Sequence, residues 1–264
     1  MSTGDRNIMN EEADLDYEKY LLRENTSLPE IHREILKKGE DILQEGVLRF
    51  TEKDRLLDPG YMPFENGFCH FEDGSAYVAC LTKMFGVKIE MLYWWFQWYA
   101  RSGIRYRIWY PENHFDAYTD SAGFTHYVTE DVGAGKQKLI IHFMTPAEFG
   151  FDKEKLKKVD FGRVAIICAE VGVAIPLHVV WHTKMCHMAR EIDGEIELRS
   201  RFWIGEEIRV KGPLGKFFNL LLNKPSVKRK IIPKNIGKHM FHHCAQEYHN
   251  LAEILPEIYE KCSR

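Results

Sequence analysis

Residues 239–259 read HMFHHCAQEYHNLAEILPEIY, and they hold the densest set of side chains able to do chemistry. His243 and Glu247 are four residues apart, so on a helix they project from one face about one turn from each other. They fall at the edge of the apolar stripe of Phe241, Tyr248 and Leu255, whereas His242, Gln246, His249 and Glu253 take the opposite, polar side. A histidine and a carboxylate on a half-buried flank are costly unless paired or bound to a metal. His-x-x-x-Glu on a helix offers one nitrogen and one oxygen to zinc. A surface hydrogen bond would use the same spacing, and His239 competes as a ligand one turn earlier.

Three further candidates lie upstream. His114 sits in YPENHFDAYTD beside Glu112, Asp116 and Asp120, in a loop at a strand end of the kind that carries functional groups. Glu148, in TPAEFGFD, is either another such group or a helix or turn cap. His187 shares its strand parity with the apolar Val179, Trp181 and Met185, while His178 and His182 take the other face. A histidine pointing into a cavity can move a proton near neutral pH, though a core histidine satisfied by a backbone carbonyl fits the same parity.

The elements that must position these groups follow from periodicity. The stretch from Asp14 to about Asp58 is polar and helical in pattern, with Ile31, Ile35, Ile42, Val47 and Leu48 as its apolar points. MLYWWFQWY predicts an aromatic helix over Lys88 to Tyr99, buried in the core or in the interface of a homodimer. From Tyr106 onward the period becomes two: Tyr106, Ile108 and Tyr110; Leu139, Ile141 and Phe143; Ile196, Leu198, Phe202 and Ile204. Asp193-Gly194 marks a hairpin. A last helix spans about Gly237 to Glu260. Helices, then an antiparallel sheet, then a long helix predict an α+β fold, a curved sheet around the C-terminal helix with a cavity between them. Residues 1–60 are expected to form an N-terminal helical extension and residues 61–264 the main domain.

Composition narrows the function classes. The net charge of −3, without a clustered basic run, argues against nucleic acid as a partner. No stretch reaches the roughly 18 apolar residues of a membrane span, and the acidic N-terminus lacks a secretory core, so a cytoplasmic location is expected. The six cysteines show no C-x-x-C pair, which argues against a disulfide framework or a cysteine-based zinc site.

IWYPENHFDAY, HMAREIDGEIELRSRFWIG and HHCAQEYHNLAEILPEIY, in that order, resemble the family of diacetylphloroglucinol and phloretin hydrolases. The resemblance implies a Bet v1-like, helix-grip fold and one zinc ion (Zn2+) per chain, held by His114, Glu148, His243 and Glu247. It also implies that Tyr106 binds substrate and that His187 handles protons on the ring hydroxyls. Phe202 stands where a second phenolic tyrosine is expected. The implied activity is hydrolysis of the carbon–carbon bond between an acyl group and a polyhydroxylated ring in a small phenolic ketone. The rival expectation is a carrier that only binds a hydrophobic or phenolic ligand in the same cavity.

Overall fold

Apolar side chains at successive positions let one sheet bury both of its faces. In the computed structural model, which describes residues 15–39, 44–133, 135–212 and 215–263, the eight strands form one antiparallel sheet. They are β1 (Gly67–His70), β2 (Ala76–Met84), β3 (His114–Thr119), β4 (Thr125–Asp131), β5 (Lys136–Met144), β6 (Val164–Ile175), β7 (His178–Ile192) and β8 (Glu195–Val210). Their order is β1-β2-β8-β7-β6-β5-β4-β3, so β3 to β8 run as a meander and the β1–β2 hairpin extends it beyond β8. Along β2, Val78 and Cys80 face the main core, whereas Tyr77 and Ala79 face a second cluster with Val47, Leu48, Leu56, Phe149 and Phe151. Asp193 and Gly194 both take positive φ, which fits the right-handed twist of the β7–β8 hairpin.

The helices are α1 (Tyr17–Leu21), α2 (Glu30–Lys38), α3 (Ile89–Trp98), α4 (Gly103–Arg107), α5 (Pro146–Phe149), α6 (Lys153–Leu156), α7 (Gly215–Leu222), α8 (Pro225–Ile231) and α9 (Ile236–Cys262). The sheet curves around α9, whose Phe241, Cys244, Tyr248, Leu251 and Leu255 are buried in the main core. The architecture is therefore α+β, as the periodicity indicated. Aromatic α3 buries Ile89, Met91, Leu92, Trp95, Phe96 and Trp98 against the same core. No helix among the described residues is long and apolar enough to cross a membrane, and all six cysteines are free.

Two expectations change here. The alternation Tyr106, Ile108, Tyr110 is not a strand: Gly103–Arg107 is a helix, with the Ser102 hydroxyl accepting from the Ile104 amide at 3.3 Å. A cap and a short helical turn outweigh a period-two pattern this brief. The polar side of α9 is also less exposed than its composition suggests. Residues from the chain's start cover it, with the Gln246 amide donating to the Thr26 carbonyl at 2.7 Å and the Thr26 amide donating to Asn250 at 3.0 Å. Tyr17, Tyr20 and Ile35 join the main core directly. Asp14 and Ile42 lie outside the described residues.

Leu255 has no exposed surface, and truncating such a side chain loses its transfer energy and leaves a cavity. Leu255→Ala should cost about 2–5 kcal/mol in urea denaturation, whereas Leu177→Ala, at a 97% exposed position, should change stability by less than about 0.5 kcal/mol.

Candidate active site

Four donors from three elements meet at one end of the space between the sheet and α9. β3 opens with His114, completely buried, and its cross-strand partner on β4 is Glu130. One turn of α9 presents His243 and Glu247 to the same point. His114 Nε2 lies 3.3 Å from His243 Nε2 and 3.7 Å from Glu247 Oε2, and His243 Nε2 lies 3.8 Å from that oxygen. Glu130 Oε2 stands 3.8 Å from His114 Nε2 and 3.9 Å from His243 Nε2. A tetrahedral ion with bonds of about 2.0–2.2 Å spaces its donors by about 3.3–3.6 Å, so His114, His243 and Glu247 stand close enough together to hold a metal ion, with Glu130 beside both histidines.

The surroundings fix this geometry. His114 Nδ1 faces the Tyr106 carbonyl at 3.2 Å, which turns Nε2 towards the other donors. The Tyr106 ring stacks on the His114 ring at 3.9 Å and 2°, and its hydroxyl donates to Glu130. The Trp109 indole donates to the Glu247 carbonyl at 2.7 Å, tying the segment before β3 to α9. Burial pushes the Glu130 carboxyl up to about 7, partly offset by the Tyr106 hydrogen bond. Burial, then the charge of Glu130, holds Glu247 well above the usual carboxylate range. Desolvation also lowers the imidazoles: His243 falls to about 4, and His114 falls well below its ordinary value, with His243 adding to its shift. Four ionisable groups are thus held in a dry place, each disfavouring its charged form, an arrangement a cation would relieve.

The structure does not bring Glu148 to this group. It lies on α5, exposed, where its carboxylate accepts from the Thr145 amide at 2.9 Å and the Thr145 hydroxyl at 2.7 Å. That is a capping box, with Thr145 accepting in turn from the Glu148 amide. His239 packs against Gly133 instead of joining the donors. Glu130 went unread in the sequence, although THYVTED carried a signal: His126, Val128 and Glu130 share the buried parity of β4 around an apolar valine.

A largely apolar cavity of about 290 Å³ adjoins the donors, lined among others by Phe96, Tyr99, Leu139, Phe143, Met185 and Phe202. Tyr106, His187 and Phe202 all stand on its wall. His187 Nδ1 lies 2.8 Å from the Ser200 hydroxyl, and burial holds the imidazole down at about 3, so it is neutral near pH 7. The Phe202 ring meets the His187 ring edge-on at 5.5 Å and supplies no hydroxyl.

An apolar pocket with a few convergent polar groups at one end has the form of a site for a small, mainly apolar molecule. Comparison with known proteins makes the class specific: the model of the DAPG hydrolase PhiG domain family matches residues 48–260, and the chain belongs to this family of hydrolases. It is similar to a phloretin hydrolase from Eubacterium ramulus, 32% identical over 96% of this chain and 92% of the relative. It is also similar to 2,4-diacetylphloroglucinol hydrolases from a Pseudomonas species and from Pseudomonas protegens. Each is 24% identical over 84% of this chain, and the match covers 79% and 75% of the respective relatives.

The raised Glu130 carboxyl gives a pH test. Its ordinary value of 4.5 becomes about 7 on folding, so its cost to folding is absent below pH 4.5, grows between 4.5 and 7, and is constant above. In chelator-treated protein, Glu130→Gln should therefore raise stability at pH 8 by up to about 3 kcal/mol and change it little at pH 4. Equal effects at both pH values in denaturant titrations would contradict the assignment.

Proposed function

We propose that the chain is a zinc-dependent hydrolase that cleaves the carbon–carbon bond between an acyl group and a polyhydroxylated aromatic ring, in ketones of the phloretin or acylphloroglucinol type. The observation that carries this reading is the buried group of His114, His243 and Glu247, with Glu130 beside both histidines, on an apolar, aromatic-lined cavity. Family membership and the relatives' names supply the reaction class. In this reading His114, His243 and Glu247 hold the ion, with Glu130 in the place first assigned to Glu148. The sheet curved around α9 belongs to the helix-grip, Bet v1-like class.

The reaction adds water across the bond: the ring carbon takes a proton, the acyl carbon takes the oxygen, and a phenol and a carboxylic acid leave. Zinc, when bound, supplies Lewis acidity for the carbonyl and for ionising water. The protein's own groups do the rest. The apolar walls hold the ring and exclude bulk water. His187, fixed at Nδ1 by Ser200, presents its other nitrogen to the cavity, where it can accept a proton from a ring hydroxyl. A phenolate formed beside it would favour the imidazolium and so reverse the effect of burial. That imidazolium then returns the proton as the hydroxyl-bearing ring takes its keto form and the acyl-bearing carbon is protonated. Tyr106 lines the cavity and, with its hydroxyl taken by Glu130, positions that carboxylate.

Elemental analysis should find about one zinc per chain, and His243→Ala or Glu247→Ala should remove most of it. Glu130→Ala should lose zinc more readily than Glu148→Ala. The reverse order would restore the first assignment.

His187→Ala should keep its zinc yet turn over about 10²-fold more slowly or worse, the scale of a lost general acid–base. In water enriched in heavy oxygen, mass spectrometry should find the label in the carboxylic acid and not in the phenol. Zinc-loaded protein that binds these ketones and returns them intact would instead be a carrier.

A further inference from the structure

Strict alternation along β7 would turn His182 away from the cavity, yet the structure turns it inward. Opposite β6, Val171 pairs with Thr183 and Gly172 with Trp181, so His182 is an extra residue in a β-bulge. Opposite β8 the register also jumps, from Thr183 against Ile204 to Trp181 against Arg209. The bulge reverses parity below it. Thr183, Met185 and His187 face inward above the bulge, and Val180 and His182 face inward below it, all on the cavity wall.

Two polar side chains therefore stand together in an otherwise apolar part of that wall. Val171, Val173, Val180, Ile204, Ile208 and Ile232 surround this end. His182 Nδ1 lies 2.9 Å from the Thr183 hydroxyl. Burial holds the imidazole down at about 4, so it is neutral near pH 7. A neutral imidazole bonded at one nitrogen keeps one further donor or acceptor position at the other. It is matched by a neutral hydroxyl. A wholly apolar group in the same place would displace water from this half-buried imidazole without replacing its hydrogen bond, which is costly. The pair is also well separated from the catalytic end: from His182 to His187, discounting the extra residue, is four strand steps, or about 13 Å.

We propose that His182 and Thr183 form a second recognition point that binds a hydroxyl at the far end of the substrate's acyl arm. The inference rests on the function proposed above and narrows its substrate class to ketones whose arm runs through a short apolar linker to a hydroxyl-bearing ring. An unsubstituted acetyl group is too short to reach the pair. The isoleucines and valines around it receive the linker and the faces of the ring.

The test uses two ketones that share the polyhydroxylated ring and the linker, one ending in 4-hydroxyphenyl and the other in phenyl. Dissociation constants by calorimetry and kcat/KM are measured for zinc-supplied wild type, His182→Leu, Thr183→Val and, as a control outside the cavity lining, His178→Leu. Wild type and His178→Leu should favour the hydroxylated ketone by about 10- to 100-fold, the cost of leaving a buried polar group unpaired. In His182→Leu the ratio should fall towards one, with Thr183→Val between. His182→Gln, which keeps a donor and an acceptor, should recover part of the preference and serves if the leucine variant does not fold. Equal treatment of the two ketones by wild type, or an unchanged ratio in His182→Leu, overturns the proposal. Cleavage of neither ketone by wild type would count against the hydrolase reading alone, because the ratio of dissociation constants still reports on the recognition point.

Discussion

Removing two carboxylates and two imidazoles from water at one point is the constraint around which the rest of this protein is arranged. Burial pushes each of them towards its uncharged form. The chain meets that demand by convergence. A cross-strand pair on β3 and β4 supplies His114 and Glu130, and one helical turn of α9 supplies His243 and Glu247. Neither half brings the four groups together alone, so their meeting depends on the relative placement of sheet and helix. Trp109 and Tyr106, bonded to the Glu247 carbonyl and the Glu130 carboxylate, hold that placement from the side.

The same demand gives the N-terminal segment a purpose. Gln246 and Asn250 lie on the flank of α9 turned away from the sheet, and residues 25 and 26 satisfy them through three hydrogen bonds. This closes the outer side of the helix that carries two of the four donors. A dry interior on one side and a covered flank on the other let α9 present ionisable groups without admitting bulk water to them.

Much of this was legible before the structure, and the failures share a cause. The last helix, the hairpin at Asp193-Gly194 and the inward faces of β5 and β8 all obey one period over many residues, and pattern reading placed them correctly. His114, His243 and Glu247, singled out by residue type and neighbours, come together in the structure. The errors arose where local geometry interrupts a pattern. A serine cap made Gly103–Arg107 helical despite its alternation. A threonine engaged Glu148 in a capping box and kept it on the surface, while Glu130 occupied a buried position one hairpin earlier. One extra residue reversed the facing of His182. Caps and bulges depend on backbone hydrogen bonds that residue types alone specify weakly.

The bulge on β7 also separates the two ends of the cavity as units of change. Removing one residue there would restore simple alternation. Without that residue Val180 would still face inward and Trp181 outward, and the wall would lose the His182 imidazole. Met185 and His187, beyond the bulge, would keep their orientation, and β3, β4 and α9 would not be touched. A single deletion can thus turn the far wall from polar towards apolar while β3, β4 and α9 stay as they are. Such an architecture lets one scaffold diversify its repertoire through length changes in a strand, a route that side-chain replacement alone does not provide.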